Sequence, residues 1–129
     1  MKRTFLLAPF IFVAIAHAGP YDQPYSIITT DVRRAADPLL LPVIVNRVDG
    51  ENSKRGQNVV APGKRAVTVD LPPRKGFHQA TQNTFDLEVK PCTRYYVAAR
   101  LETTVTQNWT PVVRSEESIG ECKAKFKIG

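Results

Sequence analysis

Three stretches of this chain alternate apolar and polar residues with a period of two. Val67, Val69 and Leu71 alternate with Thr68 and Asp70, Phe85, Leu87 and Val89 alternate with Asp86, Glu88 and Lys90, and Tyr95, Val97, Ala99 and Leu101 keep the same spacing. Successive side chains of a strand point to opposite faces, so each stretch predicts a strand with one face in a core and the other in water. In the third stretch Tyr96 and Ala98 make the second face partly apolar as well, which predicts the most central strand.

Weaker signals surround these three. The β-branched run Val43-Ile44-Val45 follows Pro42, whose missing N–H suits a strand start or an edge position. Asp49-Gly50, Pro62-Gly63 and the stretch from Pro72-Pro73 to Gly76 supply turns. Near the end, Val112-Val113 and the segment Cys122 to Ile128 read as strands on either side of a polar hairpin tip, Ser115 to Gly120. In that last strand Cys122, Ala124, Phe126 and Ile128 would face inward, and Lys123, Lys125 and Lys127 outward. No stretch carries the period of a long amphipathic helix.

The region before Val43 is poorly patterned. Pro20, Pro24 and Pro38 punctuate it, only Tyr25 to Thr30 has strand composition, and Asp31 to Asp37 predicts one helical turn that Pro38 stops. Residues 19–42 are therefore expected to form an extended arm ahead of a domain over 43–129. About seven short strands with turns at this spacing predict an all-β fold, a single antiparallel β-sandwich of immunoglobulin-like or transthyretin-like type. Its core is expected from Val43, Val45, Val67, Val69, Phe85, Leu87, Val89, Tyr95, Val97 and Phe126.

The amino-terminal eighteen residues belong to a different class. Lys2 and Arg3 precede the apolar run Phe5 to Ala16, and Ala16-His17-Ala18 places small residues three and one positions before a cut, so residues 1–18 read as a secretory signal peptide. The run is twelve residues long with Pro9 inside it, against roughly 20 needed to span a bilayer. The chain from Gly19 onward is then 111 residues long, the size of one domain. Its charge is +4, because loss of Lys2 and Arg3 leaves sixteen basic residues against twelve acidic ones.

Secretion also decides how the two cysteines read. Cys92 and Cys122 have one possible intramolecular pairing and lack Cys-x-x-Cys spacing, so a structural disulfide is expected in preference to a redox pair or a metal site. Closing a loop of this length stabilises a fold by about 3 to 4 kcal/mol in the chain-entropy account.

The succession Val45-Asn46-Arg47-Val48-Asp49-Gly50, Ala61-Pro62-Gly63-Lys64-Arg65-Ala66-Val67-Thr68-Val69, Phe85-Asp86-Leu87-Glu88-Val89-Lys90-Pro91 and Tyr95-Tyr96-Val97-Ala98-Ala99 resembles the PEGA-type group of small β-sandwich domains in bacterial envelope proteins. Those domains show a strand ending in Asp-Gly, a Pro-Gly turn that opens a strand, and a third turn before a Tyr-Tyr-Val strand. The resemblance spans Val43 to Ala99. It departs at Cys92, where the group usually has glycine, and the literal Pro-Glu-Gly-Ala motif is missing. The resemblance implies a sandwich fold and an envelope setting, and it carries no catalytic residues.

Candidate chemistry is sparse. His78 is the one histidine after Gly19, in a loop-like stretch, and Ser26, Ser53, Ser115 and Ser118 lack a nucleophile-elbow context. Asp86 and Glu88 share the outward face of one strand, and Glu116-Glu117 fall in the polar tip, where charged residues are ordinarily solvated. Phosphate loops, zinc spacings and calcium loops are missing, so no cofactor or metal is expected.

Basic residues suggest a partner more readily. The doublets Lys54-Arg55, Lys64-Arg65 and Arg74-Lys75 lie near turns, and Lys123, Lys125 and Lys127 would form a stripe on the last strand. Together with Trp109, the residues Lys64, Arg65, Lys123, Lys125 and Lys127 are the candidate contacts for an anion or a partner. Edge lysines also oppose aggregation, and a tryptophan also packs, so structural roles stand beside the functional ones. Asn108-Trp109-Thr110 fits a glycosylation sequon. Nucleic acid is not expected, because the aromatic residues alternate toward the core instead of interleaving with the basic ones. The sequence thus predicts a non-catalytic module exported to the bacterial periplasm or cell envelope, which binds or supports another envelope protein. The alternatives are a binder of anionic glycan or lipid headgroups and a small hydrolase centred on His78.

Overall fold

The alternating stretches form nine-residue strands, and the sheets they belong to face one another across an apolar interior. A computed structural model describes residues 19–129 apart from 32, 34, 54–56, 75, 77 and 78. The segment 1–18, read as a signal peptide, and His78, Lys54, Arg55 and Lys75 lie outside the described residues. The elements are β1 (Ser26–Thr30), β2 (Leu40–Pro42), β3 (Ile44–Val48), β4 (Glu51–Asn52), β5 (Gln57–Val60), β6 (Gly63–Leu71), β7 (Thr81–Val89), β8 (Thr93–Leu101), β9 (Trp109–Ser118) and α1 (Gly120–Phe126).

β8 is the hub of the first sheet, as its two apolar faces predict. It pairs with β9 along one edge, while its other edge takes β1 in parallel (Ile27 opposite Arg94) and then β2 antiparallel (Leu40 opposite Arg100). β5 pairs antiparallel with the far side of β1. The second sheet runs β4-β3-β6-β7 and is antiparallel throughout. The fold is thus an all-β sandwich. The segment 19–42, read as an arm, contributes β1 and β2 to the first sheet. The described part of Asp31 to Asp37 is bent instead of helical, because Asp31 and Asp37 accept hydrogen bonds from the backbone N–H two residues on, at Arg33 and Leu39, both at 2.9 Å.

The core between the sheets holds Val43, Val45, Val67, Val69, Leu87, Val89, Tyr95 and Val97 as the alternation predicts, with Phe85 half-buried against it. Ile28 of β1 joins them and is fully buried. Val45 and Val48 both face inward although they are three positions apart, because the register shifts by a bulge at Asn46. Asp49 and Gly50 both adopt positive φ (51° and 79°), the geometry of a tight two-residue hairpin that returns β3 into β4.

The carboxy-terminal segment departs from expectation. Cys122 to Ile128 is not a strand: residues 120–126 form α1, and β9 continues through Ser118 where a hairpin tip was predicted. Ile119, Cys122 and Phe126 are spaced three and four apart, which sets them on one side of a helix and favours that form over alternation. Ser115 to Ser118 stay extended because each pairs with β8, from Tyr96 back to Thr93. α1 covers the outer face of the first sheet, where Ile119 and Cys122 pack with Tyr25, Ile27 and Cys92, flanked by Val59, Phe126 and Ile128. Phe126 therefore belongs to this second cluster and not to the core between the sheets. The Cys92–Cys122 disulfide forms, with Cα atoms 5.3 Å apart and both cysteines fully buried. None of the helices among the described residues is long and apolar enough to cross a membrane.

Candidate functional site

The predicted basic contacts do not converge. Lys64 pairs with Asp86 across β6 and β7 at 3.4 Å. Arg65 is committed to its own turn: its guanidinium donates to the Ala61 and Pro62 carbonyls, each at 2.9 Å, and to Asp49 at 3.1 Å. Asp49 also accepts the Ala66 N–H at 2.8 Å, and these two bonds hold its carboxyl below the ordinary range, the backbone bond being the larger cause. Lys125 donates to the Tyr21 carbonyl at 2.7 Å. On a helix, residues two apart stand roughly 200° apart, so Lys123 and Lys125 lie on different sides of α1, and Lys127 follows the helix in a left-handed conformation (φ 52°); the three form no common stripe.

Trp109 is 9% exposed and packs in the core between the sheets, with Nε1 donating to Thr81 Oγ1 at 2.6 Å. Among the serines, Ser26 is a buried fastener: its hydroxyl donates to the Lys90 carbonyl and accepts the Thr93 N–H, tying β1 to the crossing from β7 to β8. Ser53 Oγ is buried without a hydrogen-bond partner among the described residues, and Ser115 and Ser118 are exposed on β9.

Along the first sheet and the segments beside it, five bases each find an acid. Lys90 meets Glu116 at 2.8 Å, Arg94 meets Glu117 at 2.5 Å, Arg100 meets Asp37 at 3.4 Å, and Asp31 lies between Arg33 (3.0 Å) and Arg114 (3.9 Å). The Asp31 carboxyl falls to about 2, first through the Arg33 side-chain hydrogen bond and then through the Arg33 backbone N–H. Such mutually neutralised pairs leave little field for an anionic ligand.

The feature that composition could not show is the difference between the two flanks of the sandwich. Where β7 and β9 end their sheets, side chains bridge the gap: besides the Trp109 bond, Asn83 donates to the Trp109 carbonyl at 3.3 Å and Gln107 to the Gln79 carbonyl at 2.9 Å. Where β4 and β5 end theirs, the sheets stand apart around a groove of about 610 Å³. Residues 57–61 all line it, facing the wall made by residues 48, 49, 51 and 52, with Pro20 and Tyr21 beside them.

Consecutive lining residues identify what the groove follows. Val60 packs toward the core between the sheets and Val59 toward the cluster under α1, so their side chains point to opposite faces. A surface touched by both must run along the backbone edge of β5. That edge is unpaired among the described residues, since β5 bonds to β1 alone. Comparison of the chain with known family profiles, with curated proteins and with solved structures returned no match.

Proposed function

We propose that this protein is an exported, non-catalytic interaction module of the bacterial cell envelope that binds another envelope protein by accepting an extended segment at the edge of β5. The observation that carries this reading is the groove along that unpaired edge. An open edge presents a row of backbone donors and acceptors, and strand addition satisfies them with main-chain hydrogen bonds.

The longer edge of the same sheet, β9, is less suited. β9 contains Pro111, which cannot donate to a new strand, and its register shifts at Arg114 beside a row of ion pairs. Proline, bulges and charges are the devices by which sheets discourage edge pairing. β5 carries none of the three over Gln57–Val60. The buried disulfide fits export to an oxidising compartment. Binding of anionic glycan or lipid has less support, because Lys64, Arg65 and Lys125 are already occupied and the helix disperses the lysines.

A crosslinking pull-down from the native envelope fraction at low and high salt, with mass spectrometry of the crosslinked peptides, tests the proposal. A protein adduct that maps to residues 57–61 and survives high salt is the expected result. Recovery of lipid or polysaccharide alone, lost at high salt, would overturn it.

A further inference from the structure

Resting on that reading, we infer that the β5 groove takes a segment of about four extended residues from a different protein, with a Lys or Arg set against Glu51 and β-branched residues beside Val59 and Val60. Three observations select this occupant.

The first is length. β5 is four residues long, so a strand added along its edge pairs over about four residues. The edge lies in a groove walled by residues 48, 49, 51 and 52, which a single extended segment can enter.

The second is charge. Arg65 and Asp49 on the groove wall neutralise each other at 3.1 Å, whereas Glu51 is exposed and has no ion-pair partner among the described residues. Among the described lining residues the unbalanced charge is thus negative. A cationic side chain on the incoming segment would meet it. A second copy pairing β5 with β5 would present Gln57, Asn58, Val59 and Val60, none of them charged, and its own edge also sits between groove walls. The charge and the recess therefore favour a different chain.

The third is the apolar content of the edge. Val59 and Val60 are half-buried with no cross-strand neighbour on this side among the described residues. A neighbouring β-branched residue on each face would complete their burial, as cross-strand pairs do elsewhere in sheets.

The test inserts the segment Thr-Val-Lys-Val-Thr and a six-residue Gly-Ser linker between Ala18 and Gly19 of the full chain, expressed with export and isolated after processing. Such a linker spans roughly 13 Å, and Pro20 and Tyr21 already border the groove, so the tether reaches its target at millimolar effective concentration. Amide hydrogen exchange by NMR is read at the alternate N–H groups of residues 57–61 that do not bond to β1. We expect at least tenfold slower exchange there than with a Pro-Pro-Lys-Pro-Pro tether, whose prolines remove all but one N–H donor. Glu51→Lys should abolish most of the protection, and a Thr-Val-Glu-Val-Thr tether should restore it in that variant.

Equal protection by the lysine and glutamate tethers in the parent chain would overturn the basic partner while leaving strand addition in place. No protection by either tether would overturn strand addition at β5 as well. Slowed exchange confined to β9 would move the accepting edge and overturn both.

Discussion

The two flanks of the sandwich solve the same problem in opposite ways. At the β7/β9 flank, hydrogen bonds from Trp109, Asn83 and Gln107 join the sheets. At the β4/β5 flank the sheets part around a groove, and the edge of β5 is left to whatever enters. The difference teaches that the sandwich does not need both flanks closed to form its core. Ile28, Val67, Val69 and Tyr95 are fully buried between the sheets with the groove open.

Trp109→Ala is the severest way to break this contrast. Removing a buried indole should cost about 3 to 5 kcal/mol in urea denaturation, whereas Trp109→Phe, which loses the bond to Thr81 but keeps an aromatic ring, should cost about 1 kcal/mol. A cost for the alanine variant below about 1 kcal/mol would show that the closed flank is not held by this residue.

Replacing both Cys92 and Cys122 by serine should lower stability by about 3 to 4 kcal/mol. The same variant sharpens the contrast, because hydrogen exchange should rise first at Ile27 and Val59, beneath α1, and not at the β7/β9 flank. Ser26→Ala comes next. It orphans the buried Thr93 N–H and should cost about 1 to 3 kcal/mol by thermal or chemical denaturation.

The smallest effect concerns the ion-paired face that lies between the flanks. Asp31 has its carboxyl lowered from 3.8 to about 2 by Arg33. A carboxylate that is more acidic in the folded chain than in the unfolded one contributes stability above its unfolded value, and that contribution disappears as pH falls through the folded value. The stability difference between the parent chain and Asp31→Asn should therefore be constant above about pH 5 and shrink between about pH 4 and pH 2. Denaturation midpoints followed across that range check it, and a difference that grows on acidification would contradict the pairing.

How much of this was readable in advance follows from how local each signal is. β6, β7 and β8 were legible because a period of two is written within nine residues. The disulfide was legible because two cysteines leave one pairing. β1 was legible as a strand and not as an interior one, since its partners lie about Val59 and Tyr95, far along the chain. The α1 segment carries two competing patterns: Cys122, Ala124, Phe126 and Ile128 alternate as in a strand, whereas Ile119, Cys122 and Phe126 have the helical spacing that the fold follows. Trp109 and the basic residues gave types without neighbours, and neighbours decide whether a charge is free. The groove had no sequence signal of its own. It is a space left between segments around residues 20–21, 48–52 and 57–61, with none of them unusual alone.

Photo-crosslinking side chains placed at Gln57 on the open flank and at Gln82 on the closed one, each in the full chain expressed in its native cells, would test the central claim most directly. The account predicts a protein adduct from Gln57 and none from Gln82. Adducts from Gln82 alone, or equal adducts from both, would contradict it.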